Sequence, residues 1–341
     1  MKIIVCLGTG GVGKTSVSAA TALSLARAGE KALVLTTDPS LRLKTALGLQ
    51  SGMTEQKVPG VDGDLWAALL DVHTTLNDAV RMNAKRGEEE KILQHPIYKT
   101  IASSLSGMNE LMALERISQL MSRGYQTIVV DTAPSRHVME VLDKPLMFAD
   151  LSASKKVKLV SRTYKFVEAM GLMSVGRSAL EVYARAEEIL GGSLVKQILD
   201  FYSLFYPVAE AYAERARKTG ALLRDPSVTE FRVVTTPQKA MRDTEFFLSE
   251  LAKRKFPVNM VCINRCWLRP LGEKPAGGLA GEVADWYESV SASHRAAIEV
   301  VKNEFAESVG RICVLDELPR DVDGAEALRS LETQLTSSDP T

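Results

Sequence analysis

Short, unbroken apolar runs alternate with longer amphipathic stretches along most of the chain. Residues 2–7 (KIIVCL) are too short for a buried helix and stop at glycines, which predicts a buried parallel strand. Residues 14–28 (KTSVSAATALSLARA) are rich in Ala and Leu and stop at Gly29, which predicts a helix closed by a C-terminal glycine. Residues 31–37 (KALVLTT) predict a second buried strand. This strand–helix–strand order with short joints implies a right-handed crossover and a parallel sheet. Further strands are expected at 65–71, 125–131, 231–236, 257–263 and 311–315, and helices at 108–123, 238–253, 282–308 and 324–335. The fold class is therefore α/β, a doubly wound, mostly parallel sheet.

Two stretches break the alternation. Residues 72–105 and roughly 138–225 show helical patterning and no convincing strand. They predict a helical subdomain, formed by about 72–122 and 138–225, inserted into a single domain that spans 1–341, with a frayed polar tail at 336–341. Segment 139–220 holds nine of the twenty aromatics together with Met139, Met147, Met170 and Met173. That composition suits a packed helical core, and it equally suits an apolar groove, because flexible thioethers fit adaptable binding surfaces. There is no internal repeat and no low-complexity tract.

Composition narrows the function classes. The 341 residues carry 42 basic and 42 acidic side chains, so the formal charge is zero, and a general nucleic-acid binder is not expected. With 45% hydrophobic and 25% charged residues the chain has the balance of a globular protein. No apolar run reaches the length of a membrane span, and the N-terminal apolar run leads into glycines rather than a cleavage site, so a cytoplasmic location is expected, peripheral to a membrane at most through a partner. Cys6, Cys262, Cys266 and Cys313 are expected to be free thiols, the pair Cys262 and Cys266 in core and loop positions.

The strongest chemical signal is at residues 8–16, GTGGVGKTS. Gly8, Gly13, Lys14 and Thr15 satisfy the phosphate-loop pattern, between an apolar strand and a helix. A chance match in a chain of this length is on the order of 1%. Glycines at 10, 11 and 13, with Val12 between them, leave backbone N–H groups open to phosphate oxygens, and the helix N-terminus adds positive potential. Lys14 is expected to reach the β- and γ-phosphates of ATP, Thr15 to ligate Mg²⁺, and Ser16 to touch the α-phosphate. Asp131 closes the apolar run TIVVD, the position of a second metal carboxylate. Asp38 ends the second strand, where it can orient an attacking water or approach the metal; strand C-termini are where ligands bind in open α/β sheets.

With GTGGVGKTS, the sequences TTDPS at 36–40 and DTAPSRH at 131–137 resemble the ATPase family of the arsenite-pump subunit and the eukaryotic tail-anchored-protein targeting factor, P-loop ATPases with a deviant Walker-A motif. SGMNEL at 106–111, TTPQKAMRDTE at 235–245, INR at 263–265 and VLDELP at 314–319 match in the same order. The resemblance implies a nucleotide-bridged dimer whose opening and closing follow ATP. It implies that Asp38 is the switch I catalytic carboxylate, that Asp131 begins a switch II containing Pro134, Arg136 and His137, and that Asn264, with Arg265 beside it, holds the adenine, helped by the backbone around Leu315, Glu317, Leu318 and Pro319. It implies a hydrophobic protein client or a membrane-associated partner for the helical subdomain; a spatial regulator of the partition and septum-site type is the alternative, and a reductive ATPase partner a poorer third.

Departures from the family pattern matter. Thr9 stands where the deviant loop carries a lysine that neutralises phosphate charge across the dimer. Either Arg136 or Arg42 replaces that charge, or both are solvated surface arginines; a second reading is that the chain pairs with a related subunit that keeps the lysine, giving a heterodimer rather than a homodimer. No C-x-x-C occurs, so the zinc of the targeting factor is not expected, and residues 139–261 contain no cysteine, which argues against arsenite transport. His73, His95 and His294 lack ligand spacing and read as surface or core residues. Lys155, Lys156 and Lys158 form a basic cluster, read as a solvated face or as a docking patch for an acidic partner or membrane phosphate.

Overall fold

The structure is a computed structural model; it describes residues 1–38, 42–49, 55–103, 109–133, 188, 191–272, 277–319, 322 and 324–337. Pro134, Arg136, His137 and the lysines at 155, 156 and 158 lie outside the described residues, as does the side chain of Arg42. Two compact units are built from the chain: the first comprises Met1–Leu70, Gln119–Met139 and Ala221–Thr341, the second Asp71–Ser118 and Glu140–Gly220.

The first unit is an eight-stranded sheet. Its strands are β1 (Lys2–Leu7), β2 (Lys31–Thr36), β3 (Glu55–Lys57), β4 (Asp64–Leu69), β5 (Thr127–Asp131), β6 (Thr229–Thr235), β7 (Val258–Cys266) and β8 (Arg311–Asp316), in the order β3-β4-β2-β5-β1-β6-β7-β8. All pairings are parallel except β3 with β4. The chain leaves β1 toward β2 on one side and crosses from β5 to β6 on the other, so the topological switch lies at the C-terminal end of β1. Register aligns the site: Cys6 pairs with Asp131, and Thr36 also pairs with Asp131 across β2 and β5.

Helix α1 (Lys14–Arg27) covers this centre. Its Val17, Ala19, Ala20, Ala22, Leu23 and Ala26 are buried against Ile4, Val34, Val129, Cys262 and Cys313, and its run of alanines allows close approach to the strands. Shorter α2 (Arg42–Leu47) follows β2. On the β6–β8 side lie α8 (Ala240–Lys253) and α9 (Gly278–Phe305); α10 (Gly324–Ala327) and α11 (Arg329–Ser337) close the unit, with Arg27 of α1 ion-paired to Glu332.

The second unit contains α3 (Val72–Asn83), α4 (Glu89–Gln94) and α5 (Pro96–Ser103) and most of α6 (Asn109–Met121) and α7 (Gly192–Arg224), whose last residues are counted in the first unit. Asp71 caps α3 by accepting from the Thr74 N–H at 2.6 Å. Arg215 forks onto the fully buried Glu115 through Nε and Nη2 (2.8 Å) and donates Nη1 to Asn83 (2.9 Å). Phe201 and Phe205 stack with centroids 5.2 Å apart, and Leu194 and Ile198, one turn apart, are exposed.

Several expectations shift. The strand expected to stop at 263 runs to Cys266, because a bulge carries it past the polar Asn264 and Arg265; Cys266 is therefore a buried strand thiol and not a loop residue. The edge strand β3 (EQK) has no apolar run to announce it. Helix α9 starts at Gly278 instead of 282 and ends at Phe305 instead of 308, its start masked by two glycines. The helix expected over 324–335 divides at Leu328, and its second part extends to Ser337, so the first two residues of the expected frayed tail are helical. No helix among the described residues is long and apolar enough to cross a membrane.

Candidate functional site

The loop between β1 and α1 depends on glycine where the chain is tightest. Gly13 has φ +88, and a Cβ there would sit 2.2 Å from Asn264 Nδ2; a Cβ on Gly8 would sit 2.2 Å from the Val234 carbonyl oxygen. Every carbonyl from Thr9 to Gly13 is engaged. Lys14 Nζ donates to Thr9 O (3.0 Å), Lys239 Nζ to Gly10 O (3.1 Å), Arg265 Nη1 to Gly11 O (3.1 Å), Asn264 Nδ2 to Val12 O (2.9 Å), and the Val17 N–H to Gly13 O (3.0 Å). Because each carbonyl is held and peptide units are planar, the opposite N–H groups are turned the other way, as a phosphate cradle requires.

Beyond the loop, register brings the predicted metal side together. Thr15 Oγ1 donates to Asp131 Oδ2 at 2.9 Å and Thr36 Oγ1 to the same oxygen at 3.1 Å. Thr37 N–H donates to the Asp131 carbonyl (2.9 Å), Thr132 Oγ1 to Cys6 O (2.8 Å), and Thr36 Oγ1 accepts the Asp38 N–H (3.2 Å). Burial pushes the Asp131 carboxyl up to about 6, against the two threonine hydrogen bonds and the Lys14 charge that pull it down. Asp131 Oδ1 is buried with no hydrogen-bond partner. A buried carboxylate with an orphaned oxygen, next to a threonine hydroxyl, is a hard-oxygen donor set that fits Mg²⁺. Among the described residues no group of three His, Cys, Asp or Glu forms a protein cage, and a phosphate-bound Mg²⁺ needs none, since it keeps waters and takes phosphate oxygens.

On the opposite side, the β7 bulge sets the geometry. Arg265 has φ +63, a left-handed conformation costly for a non-glycine residue, and its guanidinium reaches both Gly11 O and Glu317, with Nε 3.3 Å from the carboxylate. The Glu317 N–H donates to Cys266 O at 2.8 Å, tying the β8 exit to the bulge. Gly13, Ser16, Asn264, Arg265, Glu317 and Leu318 line a small pocket of about 90 Å³, together with Val322 and Leu331, which the sequence did not point to. The Leu315 side chain is fully buried in the core, and Pro319 is exposed.

The first turn of α8 supplies two residues to which the sequence gave no role. The Thr9 hydroxyl donates to Oδ2 of the fully buried Asp243 at 2.7 Å. One turn earlier, Lys239 is exposed on Gly10. The available signal was their four-residue spacing at the start of a helix that follows a strand neighbouring β1. A cleft of about 610 Å³ opens beside them, lined by Gly10, Lys239, Arg265, Trp267, Trp286 and His294 among others. His294 Nδ1 accepts the Trp267 backbone N–H at 3.0 Å, and its Nε2 lies 3.0 Å from the Gln238 side-chain amide nitrogen. Burial lowers the His294 pKa below the usual 6.5. Cys6 and Cys266 are pushed up by burial to about 11 and 12; Cys262 is raised by its hydrogen bond to Cys313 and by burial.

Comparison with known proteins agrees with this geometry. The chain is 23% identical over 337 residues to the ATPase get3 of Schizosaccharomyces pombe, covering 98% of this chain and 91% of that protein. It is 25% identical over 276 residues to the ATPase GET3 of Malassezia globosa (80% of this chain, 75% of that protein). It is 28% identical over 271 residues to the ATPase ARSA2 of Chlamydomonas reinhardtii (78% and 68%). The family model described as anion-transporting ATPase matches residues 1–337, and with a phosphate loop, its partner carboxylate and a mostly parallel sheet in place, the chain belongs to that family of ATP-hydrolysing P-loop enzymes.

Proposed function

We propose that this ATPase is a Mg²⁺-dependent, nucleotide-driven dimeric switch that binds and releases a hydrophobic protein client through its second unit. The observation that carries the nucleotide part is Asp131: a buried carboxylate with one orphaned oxygen, joined to Thr15 and Thr36 beside a loop whose carbonyls are all held. In this reading the loop N–H groups and Lys14 bind the phosphates, and Ser16 meets the α-phosphate. Thr15 and Asp131 hold Mg²⁺, with Asp38 close by; the ion, when bound, neutralises phosphate charge. The adenine lies in the pocket of Asn264, Arg265, Glu317 and Leu318, with the backbone at Leu315 and Pro319 at its edge. Asn264 gives its amide nitrogen to the loop and keeps Oδ1 for an exocyclic amine. Asp38 orients the water that attacks the γ-phosphorus; the bond to the β–γ bridging oxygen breaks with its electron pair leaving on ADP, and the water's proton passes to the released phosphate.

Support for an apolar client comes from exposed Leu194 and Ile198 on α7, beside the stacked Phe201 and Phe205. An anion cargo held by thiolates is not favoured, because Cys6, Cys262, Cys266 and Cys313 are all buried in the sheet. The engagement of Thr9 with Asp243 keeps the heterodimer reading open as the second choice.

The test uses Asp38→Asn, which should retain Mg–ATP and lose hydrolysis. Light scattering of that variant with Mg–ATP should show a dimer, and a synthetic tail-anchor helix should co-purify with it and leave on exchange to ADP. A monomer under those conditions that dimerises only with a related subunit would select the heterodimer. No heat of Mg–ATP binding to the unaltered chain would end the proposal.

A further inference from the structure

Thr9 leaves the phosphate loop one positive charge short of the pattern its relatives imply, and its hydroxyl is turned inward onto Asp243. The same helix turn carries a cation. Lys239 lies four residues before Asp243, so both side chains meet the loop from one face of α8. Its ammonium rests 3.1 Å from Gly10 O, on the outer, carbonyl side of the loop, and reaches a phosphate by swinging over the loop's edge.

We propose that Lys239 supplies, from outside the loop, the positive charge that Thr9 does not, and that it stabilises the charge developing on the transferring γ-phosphoryl group. This rests on the nucleotide reading above. Three observations carry it. First, the contact with Gly10 O uses one of the three donors of the ammonium, and the side chain is exposed, so little is lost when it swings to a phosphate. Second, among the described residues no carboxylate stands within ion-pair distance of Lys239, whereas Arg265, the other exposed cation on the loop, is paired with Glu317 at 3.3 Å. Third, Lys239 borders the cleft of about 610 Å³, which gives its four-carbon stem room to move. The lysine transfers no proton: it meets the equatorial γ-oxygens while the bond to the bridging oxygen breaks and water adds.

Steady-state hydrolysis and ADP calorimetry on Lys239→Met and Lys239→Arg test this in the full chain. The methionine variant should lose roughly 10²-fold in kcat, with ADP affinity within about twofold of the parent, because a charge needed in the transition state hardly matters to the product complex. The arginine variant should keep kcat within roughly tenfold of the parent. Thr9→Lys added to Lys239→Met should return part of the lost turnover. Turnover of the methionine variant within about threefold of an active parent overturns the proposal, and so does a fall in ADP affinity that matches the fall in kcat, which marks a prop for the loop instead. A parent that binds no nucleotide would instead remove the reading on which the proposal rests, before Lys239 is reached.

Discussion

The phosphate loop is held from two sides, and the two sides are built differently. On the β5–β2 side, Thr36 and Asp131 are buried, short and fixed by strand register, and half-buried Thr15 joins them from the first turn of α1. On the β6–β7 side, Lys239 and Arg265 are long, exposed cations that reach in from a helix start and a strained bulge. A buried carboxylate must be paired or metal-bound to stay ionised, so its position admits little drift. An exposed cation can act from several places, which explains how a loop can carry threonine at position 9 and still be ringed by positive charge.

The contrast can be broken experimentally, most strongly at the centre. Lys14→Met should abolish hydrolysis, by roughly 10³-fold or more, since it removes the one cation inside the loop; phosphate release measures it. Next, Asp131→Asn should raise the Mg²⁺ concentration needed for tight ADP binding about 10- to 100-fold and leave Mg²⁺-free ADP binding unchanged, as calorimetry with and without chelator will show.

Asp131 also makes a pH prediction of definite sign. Its folded pKa, about 6, lies above the ordinary 3.8, so its contribution to stability is fully present below pH 3.8 and is lost as pH rises through 6. The loss amounts to about 3 kcal/mol. Asp131→Asn should therefore raise the Tm of the nucleotide-free chain at pH 7.5, and the gain should shrink toward pH 5. On the other side, Thr9→Val removes a donor from buried Asp243 and should cost about 1–3 kcal/mol in urea unfolding at pH 7.5. The smallest effect belongs to His294. Its pKa is lowered in the fold, so its contribution is present above the ordinary histidine value of 6.5 and is lost as pH falls through the lowered one. His294→Gln should flatten that part of the stability–pH curve.

The same contrast decides what was legible in the sequence. The β5–β2 side follows from two local signals, a glycine-rich loop after an apolar strand and an apolar strand ending in Asp131, and the parallel sheet places strand ends together. The β6–β7 side is assembled from segments far apart in the chain: Asn264 lies 252 residues from Val12 and Asp243 lies 234 from Thr9. Nothing local in TTPQKAMRDTE says that Lys239 and Asp243 face a loop near the N-terminus. INR was noticed for its asparagine, yet the bulge that aims Arg265 is a backbone event, and its residues interrupt the apolar run that would have extended β7 to Cys266. The pocket residues Val322 and Leu331 belong to a C-terminal segment whose pattern announces only a helix.

The five engaged carbonyls of residues 9–13 have a thermodynamic consequence. A segment rich in glycine ordinarily surrenders much freedom when it closes around a ligand. Here part of that entropy is already spent during folding, so on ATP binding the Lys14 and Lys239 ammonium groups should move while the loop backbone, still held at Gly11, Val12 and Gly13, needs little rearrangement. In the empty chain, the Thr15 and Ser16 amides should exchange with deuterium quickly because the first-turn N–H groups of α1 have no intrahelical acceptor, and nucleotide should then slow that exchange sharply.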